Sequence, residues 1–269
     1  MRAAISIESF RPGPGGVEGA AFALANELGK RGVDLTVLCR EAASRGAPAG
    51  VRVELLGGPN FWQPLRVVEF SRRAARAAAA GGFDVVQGFS RSRHQDVYRA
   101  GGGSHAAYMA RVYPRPALRR LSPRHTALLA IEGAVFRDPR QVVLCNSRFV
   151  AGEVARLHGV PAERLEVIYN GVDLERFHPA RRGVLGPALR RALGLADGER
   201  VCVAIGSGFA RKGFDLLLRL WREAPPRDTA LVLVGDDERL GHYRGLAQAL
   251  GGSVRASCTR FFTRRRRPT

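Results

Sequence analysis

The chain has 269 residues, of which 45% are hydrophobic and 25% are charged, so it can bury a large core and is not disordered. Its formal net charge of +19 favours polyanionic partners such as phosphorylated substrates, nucleic acid or an anionic membrane. No run approaches the roughly 18 apolar residues of a membrane span, and the first residues lack the apolar region of a signal peptide. We therefore expect a cytoplasmic protein.

In the N-terminal part of the chain, short apolar runs alternate with amphipathic stretches, which is the pattern of βα units around a parallel sheet. Helices are predicted over Val17–Arg31 and Phe149–His158. The predicted strands are Arg2–Glu8, Asp34–Arg40, Val51–Leu56, Phe83–Phe89, Gln141–Asn146 and Leu165–Tyr169. These elements predict one doubly wound α/β domain.

A polar segment marked by Gly and Pro, from about residue 178 to residue 198, predicts a linker with a short helix. A second α/β unit follows, with strands Arg200–Ser207 and Ala230–Asp236 and helices Gly213–Glu223 and Glu238–Leu250. We therefore divide the chain into an N-terminal domain over residues 1–180, a partial C-terminal domain over residues 181–252, and a basic tail over residues 253–269.

The second unit is expected to stop after two strands, which leaves a parallel sheet with an uncovered face. Apolar residues of these strands should then be partly exposed, namely Val203, Ile205, Leu231 and Leu233. The tail that follows holds six arginines and no acid, and apolar periodicity ends at Gly252. It is either a solvated basic tail or the product of a break in the reading frame, and the incomplete domain favours the break.

A glycine-rich loop follows the first predicted strand and leads into a helix, a place where backbone amides can bind phosphate. The dinucleotide fingerprint fails here, because Glu18 stands where the third glycine would be after Gly13 and Gly15. The second strand ends in Arg40 rather than in an acid that would bind a ribose. A phosphate site and a simple tight turn both remain open.

A second candidate loop, Gly206–Asp215, lies between a strand and a helix of the second unit. Small residues, the adjacent cations Arg211 and Lys212, and a helix N-terminus together suit a diphosphate. Only two of the 43 basic residues are lysines, so a lysine at this position is informative. The alternative is two solvated charges, although cations at a helix N-terminus oppose its dipole unless an anion binds.

Four segments together resemble GT-B glycosyltransferases of family 4, and more narrowly the lipopolysaccharide core enzymes that add glucose to heptose. The segments are Gly15–Glu18, Asn146–Ser147, Tyr169–Asp173 with Phe177 and Pro179, and Gly206–Gly213 with Leu233–Asp236. The narrower resemblance rests on the sequence GSGFARKG and on Asp96–Tyr98. It implies a Rossmann-like N-terminal domain and a partial Rossmann-like C-terminal domain.

The resemblance implies a retaining transfer from a nucleoside-diphosphate sugar, with UDP-glucose as the expected donor and without a metal ion or other cofactor. Arg211 and Lys212 would neutralise the departing diphosphate, as preorganised charges do in a transition state. Ser207 and Gly208 would bind the donor beside them. The expected acceptor is a glycolipid such as lipopolysaccharide core.

On the acceptor side, the resemblance implies that Gly15 and Gly16 contact the same phosphates. His105, which follows the glycines at Gly101–Gly103, would face the sugar, although a single histidine can also be structural. The family pattern continues with two glutamates separated by seven residues, and this chain ends before that motif. We therefore expect the 269-residue chain to bind UDP-sugar poorly and to be inactive.

The window Val97–Ile131 contains six arginines and no acid. Basic and aromatic residues mixed in this way suit an anionic membrane surface or a phosphorylated glycolipid, so we expect peripheral attachment to the inner face of the cytoplasmic membrane. An ordinary solvated loop remains the alternative. The residues proposed for this surface are Tyr108, Arg111, Tyr113, Arg119, Arg120 and Arg124.

Two other classes of protein remain as alternatives. An NADP-dependent oxidoreductase would use the glycine loop and Arg40, but the broken fingerprint opposes it. A nucleic-acid-binding protein would exploit the positive charge, but the sequence holds no binding motif or aromatic platform for RNA, so no nucleic-acid partner is expected.

Overall fold

The computed structural model describes residues 1–13, 16–43, 47–113, 115 and 122–250, together with the backbone of Val254–Arg255. The chain divides into two compact units, Met1–Gly171 and Val172–Thr269. The domain boundary predicted at residue 180 lies within the second of these units. Except for the backbone of Val254–Arg255, the predicted basic tail lies outside the described residues.

The first unit alternates strands and helices. Its described elements are β1 (Arg2–Phe10), α1 (Gly16–Lys30), β2 (Asp34–Ala42), β3 (Val51–Leu55), α2 (Gln63–Ala80), β4 (Val85–Gly88), β5 (Val97–Ala100), α3 (His105–Val112), α4 (Pro123–Arg137), β6 (Val142–Cys145), α5 (Arg148–His158), a 3₁₀ turn (Ala162–Arg164) and β7 (Leu165–Val167).

These strands form a seven-stranded parallel sheet in the order β3-β2-β1-β4-β5-β6-β7. This order is that of a doubly wound fold, as predicted. The strands run in parallel throughout, and the order in which the chain adds them changes from one side of the sheet to the other between β1 and β4. In such folds, ligands bind beyond the carboxyl ends of the strands near the reversal. The loops after β1, β4, β5 and β6 are therefore the places to look for a site in this unit.

Local sequence explains the limits of the helices that flank this edge. Ser147 precedes α5 and its hydroxyl accepts a hydrogen bond from the amide of Val150, which satisfies one donor of the first turn. Gly159 ends the same helix with a positive φ of 63°, a conformation that glycine adopts without strain.

The core strand β2 is buried from Leu35 to Cys39, since helices cover both of its faces.

The second unit is smaller. Its described elements are α6 (Arg181–Ala192), β8 (Arg200–Ile205), α7 (Phe214–Glu223), β9 (Thr229–Val234), α8 (Leu240–Ala249) and β10 (Val254–Arg255). The three strands pair in parallel in the order β10-β9-β8. The prediction of two strands was therefore wrong, because β10 has only two residues and is too short to produce a detectable apolar pattern.

One face of this sheet is open at β8. Val203 is 54% exposed and Ile205 is 73% exposed, as predicted. The prediction that Leu231 and Leu233 are partly exposed is wrong, since both belong to the core that α7 and α8 form against β9. The open face and α6 line a cavity of about 1480 Å³.

Candidate functional site

The glycine loop of the first unit is partly described. Gly16 opens α1 with a φ of 77°, in the left-handed region that favours glycine. Glu18 lies in the first turn of the helix, where a carboxylate interacts favourably with the helix dipole. Gly15, the other glycine proposed to contact phosphate, lies outside the described residues.

Arg40, the residue that an NADP site would use, is already engaged. Its side chain is only 7% exposed and forms ion pairs with Glu41 and, at 3.5 Å, with Glu8. It also donates a hydrogen bond to the side chain of Asn60. A guanidinium held in this way is not available to a nucleotide phosphate, so the structure gives the oxidoreductase alternative no support.

The loop Gly206–Gly213 connects β8 to α7 in the second unit and is fixed by the loop that follows β9. The amide of Gly206 donates to the carbonyl of Val234 at 2.9 Å, and the amide of Phe209 donates to a carboxylate oxygen of Asp237 at 2.6 Å. The ring of Phe209 is fully buried and stacks on Phe214, with ring centroids 4.3 Å apart. The loop is thus anchored from beneath.

The two predicted cations lie on the exposed side of this loop. Lys212 lies with its aliphatic stem over Gly206, where an added Cβ would stand 3.0 Å from the lysine Cγ. Arg211 donates a hydrogen bond to the carbonyl of Ser207 at 3.2 Å, and its guanidinium passes beside Gly208. Within the described part of the chain, neither cation forms an ion pair with a carboxylate.

Helix α7 begins at the same place. Gly213 precedes its first residue with a φ of 79°, and no side chain caps the helix. The one acid of the first turn, Asp215, accepts a hydrogen bond from the hydroxyl of the buried Tyr243 at 2.9 Å. An uncapped helix N-terminus next to two cations can bind an anionic group of a ligand.

In the first unit, segments singled out in the sequence meet at the carboxyl end of the sheet. Asn146, after β6, donates to the carbonyl of Gly101 at 2.9 Å. Asn170, after β7, accepts a hydrogen bond from the guanidinium of Arg99 in β5. These contacts hold the Gly101–Gly103 loop, and therefore the residue that follows it, beside the ends of β5, β6 and β7.

His105 is the first residue of α3 and is 9% exposed. Its Nε2 lies 3.1 Å from Nδ1 of His125, and its ring stacks on Tyr108 with a centroid separation of 5.7 Å. Burial, followed by the charge of Arg91, lowers the pKa of His105 to about 4 despite the opposing charge of Glu132. The imidazole is therefore neutral at physiological pH.

A residue that the sequence analysis missed lies beneath His105. Glu132, in the middle of α4, is fully buried, and its carboxylate accepts hydrogen bonds from the amides of His105 at 2.6 Å and Ala106 at 3.0 Å. Arg91 forms an ion pair with it at 3.0 Å, and His158 approaches within 3.3 Å. Burial raises the pKa of Glu132, but His158, Arg91 and the two amides outweigh burial and hold it at about 2.

One signal in the sequence points to Glu132. It is the single acid within an apolar stretch that runs from Leu128 to Phe136. A charged residue in such a stretch is buried only when it has partners, and buried charges of this kind are common at functional sites.

The proposed membrane surface is partly described. Tyr108 and Val112 of α3 and Phe149 of α5 are 40%, 47% and 66% exposed, and together they form the apolar part of what we call the α3–α5 patch. Arg111 pairs with Glu153 and lies over the ring of Phe149 at 5.8 Å, so its charge is partly neutralised. Arg124 and Tyr113 are partly buried, while Arg119 and Arg120 lie outside the described residues.

None of the described helices is both long enough and apolar enough to cross a bilayer.

Comparison with known proteins places these features in a family. Residues 14–176 match the sequence model of Glycosyltransferase Family 4. The chain is 28% identical to a D-inositol 3-phosphate glycosyltransferase of Mycobacterium tuberculosis, over 78% of this chain and 47% of that protein. It therefore spans about half the length of the curated relatives that it matches.

Two solved structures are similar to it. WaaG, a glycosyltransferase involved in lipopolysaccharide biosynthesis, matches with a TM-score of 0.76 and 21% identity, over 94% of this chain and 68% of that chain. HepE of Anabaena, in complex with UDP and glucose, matches with a TM-score of 0.60 and 20% identity, over 94% of this chain and 68% of that chain. The α/β fold is thus of the predicted GT-B type, and the match over residues 14–176 shows that the chain belongs to glycosyltransferase family 4.

Proposed function

We propose that this chain carries the acceptor-side domain and the diphosphate-binding segment of a retaining glycosyltransferase that uses a nucleoside-diphosphate sugar. The proposed donor is UDP-glucose, and the proposed acceptor is a glycolipid such as lipopolysaccharide core. The observation that carries the proposal is the loop Gly206–Gly213, where two cations without carboxylate partners among the described residues meet an uncapped helix N-terminus.

The chemistry of the leaving group explains why such a loop is needed. When the bond from the sugar to the diphosphate breaks, negative charge develops on the phosphate oxygens. Arg211 can donate a pair of hydrogen bonds from its planar guanidinium, and Lys212 supplies a compact charge beside it. Fixed charges of this kind stabilise the transition state without reorganisation, and in this proposal they replace a metal ion.

The proposed donor is supported by a structural relative. HepE, which shares the fold, is described in complex with UDP and glucose. The loop geometry favours a diphosphate over a monophosphate, because Arg211 and Lys212 are adjacent and can contact two phosphoryl groups. Ser207 and Gly208 complete the proposed donor site in the second unit.

His105 is proposed to face the transferred sugar in the first unit. A neutral imidazole can accept a hydrogen bond from a sugar hydroxyl or donate one to it, whereas an imidazolium would add positive charge beside a developing oxocarbenium ion. The low pKa of His105, about 4, supports the neutral form.

The proposed glycolipid acceptor is supported by the α3–α5 patch. Phe149, Val112 and Tyr108 are exposed, and the sequence that follows α3 contains several arginines, a combination suited to a peripheral membrane surface. The curated relatives are instead named for D-inositol 3-phosphate, so this soluble compound is the natural competitor in an acceptor assay.

The experiment that tests the donor site is a titration of the isotopically labelled 269-residue chain followed by NMR. UDP and UDP-glucose at millimolar concentration, which allows for the weak binding expected of this chain, should shift the amide signals of Ser207–Gly213, and UMP should shift them less because it lacks the second phosphate. NADP⁺ is the control for an oxidoreductase. Signals of the loop that stay unchanged with UDP, or that respond equally to UMP, would refute the proposed diphosphate site.

A further inference from the structure

The amides of the first turn of α3 are satisfied by two side chains, that of the N-cap residue Ser104 and that of Glu132 in α4. A helix begins with amides that have no partner within the helix. In α3, the amides of His105 and Ala106 donate to Glu132, and the amide of Ala107 donates to the hydroxyl of Ser104 at 3.2 Å. That hydroxyl in turn donates to Glu132 at 3.1 Å. One carboxylate therefore controls the start of the helix.

The carboxylate is itself held rigidly. Arg91, from the loop after β4, pairs with Glu132, and His158, the last residue of α5, approaches both Glu132 and the hydroxyl of Ser104 at 3.0 Å. Three separate elements thus fix the position of Glu132. A buried carboxylate with this many partners keeps its charge and one geometry.

We propose that Glu132 is a positioning residue for His105, fixing the start of α3 so that the imidazole keeps one orientation at the carboxyl end of β5. The inference rests on the proposed role of His105 in sugar transfer. Glu132 acts through the backbone of His105 itself, at 2.6 Å, and the ring is then held by Tyr108 and His125.

The geometry also restricts where an anionic substrate group can bind. A free helix N-terminus attracts phosphate, but the N-terminus of α3 is occupied by the negative charge of Glu132. His105 therefore meets the substrate as a neutral hydrogen-bonding group, without a phosphate bound to its own helix. Binding of phosphate is left to sites such as the loop Gly206–Gly213.

The chain offers a matched control for a test. Glu153 of α5 is also buried, at 8% exposure, and it also pairs with an arginine. Its partner Arg111 lies in the last turn of α3, whereas Glu132 contacts the first turn. Glu132→Gln and Glu153→Gln thus each remove one buried negative charge. The first charge lies beside the first turn of α3, and the second lies beside its last turn.

The experiment measures amide hydrogen exchange and imidazole NMR signals of the 269-residue chain. In Glu132→Gln, the amides of His105 and Ala106 should exchange about 10- to 100-fold faster, which is the fold-change expected when a hydrogen bond to a charged group is lost. The imidazole signals of His105 should also move. Glu153→Gln should leave both unchanged, and Glu132→Asp should restore part of the wild-type pattern.

Several outcomes would overturn the proposal. The proposal is overturned if the His105 signals of Glu132→Gln are the same as in the wild type. It is also overturned if Glu153→Gln changes the exchange and the His105 signals as much as Glu132→Gln does, because Glu132 would then have only a general structural role. If Glu132→Gln does not fold, the wild-type chain decides, because fast exchange of the His105 amide there would count against the proposal. UDP titration of Ser207–Gly213 in the same variants reports on the donor site separately, since the two sites share no residue.

Discussion

Gly235 lies so close to Gly206 that a Cβ added to Gly235 would stand 1.7 Å from the carbonyl oxygen of Gly206. The φ of Gly235 is 151°, a conformation that other residues rarely adopt. The loop after β9 therefore passes directly beneath the loop that carries Lys212 and Arg211, and only glycine permits this approach.

We predict that Gly235→Ala displaces the loop Gly206–Gly213. The variant should lower the free energy of unfolding of the second unit by about 2–4 kcal/mol, because backbone atoms cannot move aside as a flexible side chain can. The control is Gly245→Ala in α8, where an added Cβ meets nothing within 4 Å and should stabilise the helix by about 0.5–1 kcal/mol. Urea unfolding measures both changes, and equal stability of the two variants would contradict the prediction.

Lys212→Ala tests the proposed role of the cations in catalysis. In a chimera that joins this chain to the remainder of a family donor domain, turnover should fall by about 10²- to 10³-fold, the usual effect of removing one group that stabilises the transition state. Acceptor binding should change much less. Arg219→Ala, an exposed arginine further along α7, is the matched control. If turnover is unchanged in Lys212→Ala, Arg211 and Lys212 are solvated surface charges and have no role in stabilising the leaving group.

The proposed membrane surface predicts binding to anionic vesicles. Replacing Arg119, Arg120 and Arg124 with alanine should weaken binding, since each basic residue near an anionic surface contributes about 1 kcal/mol and this attraction is screened by salt. Phe149→Ser should weaken it further. Phe61→Ser, which alters an even more exposed ring in the loop after β3, should not weaken it. Equal binding to neutral vesicles would contradict the prediction.

The low pKa of His105 predicts a loss of stability in mild acid. The unfolded chain binds a proton at His105 near pH 6.5, whereas the folded chain binds it only near pH 4. The free energy of unfolding is therefore highest above the pKa of His105 in the unfolded chain. It falls by about 2 kcal/mol between about pH 7.5 and pH 5. Urea unfolding of His105→Gln should show a smaller loss over the same range. An identical pH dependence in wild type and variant would contradict the assignment.

Six of the seven strands of the first sheet could be predicted because they are short apolar runs, whereas β5 (Val97–Ala100) was not predicted. The strand predicted at Asp34–Arg40 is β2, which the structure extends to Ala42, and the helix predicted at Val17–Arg31 is α1, shifted by one residue. Helices α2, α3 and α4 were not predicted. The arginines and the absence of acids in the window Val97–Ile131 favoured a surface for α3 and the start of α4, and the pattern of residues buried in α4 becomes evident only when α2 and α5 pack beside it.

The candidate site could be predicted only in part. The loop Gly206–Gly213 was found because its glycines and cations are adjacent in sequence. Glu132 was missed because its partners come from distant positions, with Arg91 on one side along the chain and His158 on the other. Local patterns do not reveal a buried carboxylate whose ligands are brought together by the fold.

The contacts of Glu132 have a consequence for local unfolding. The residues that it joins span the chain from Arg91 to His158 and lie in a loop and three helices. Releasing any one of these elements leaves a buried charge short of partners, so partial opening is unfavourable. We therefore expect the region between Arg91 and His158 to open as one cooperative unit, with its slowest amides exchanging at a common rate.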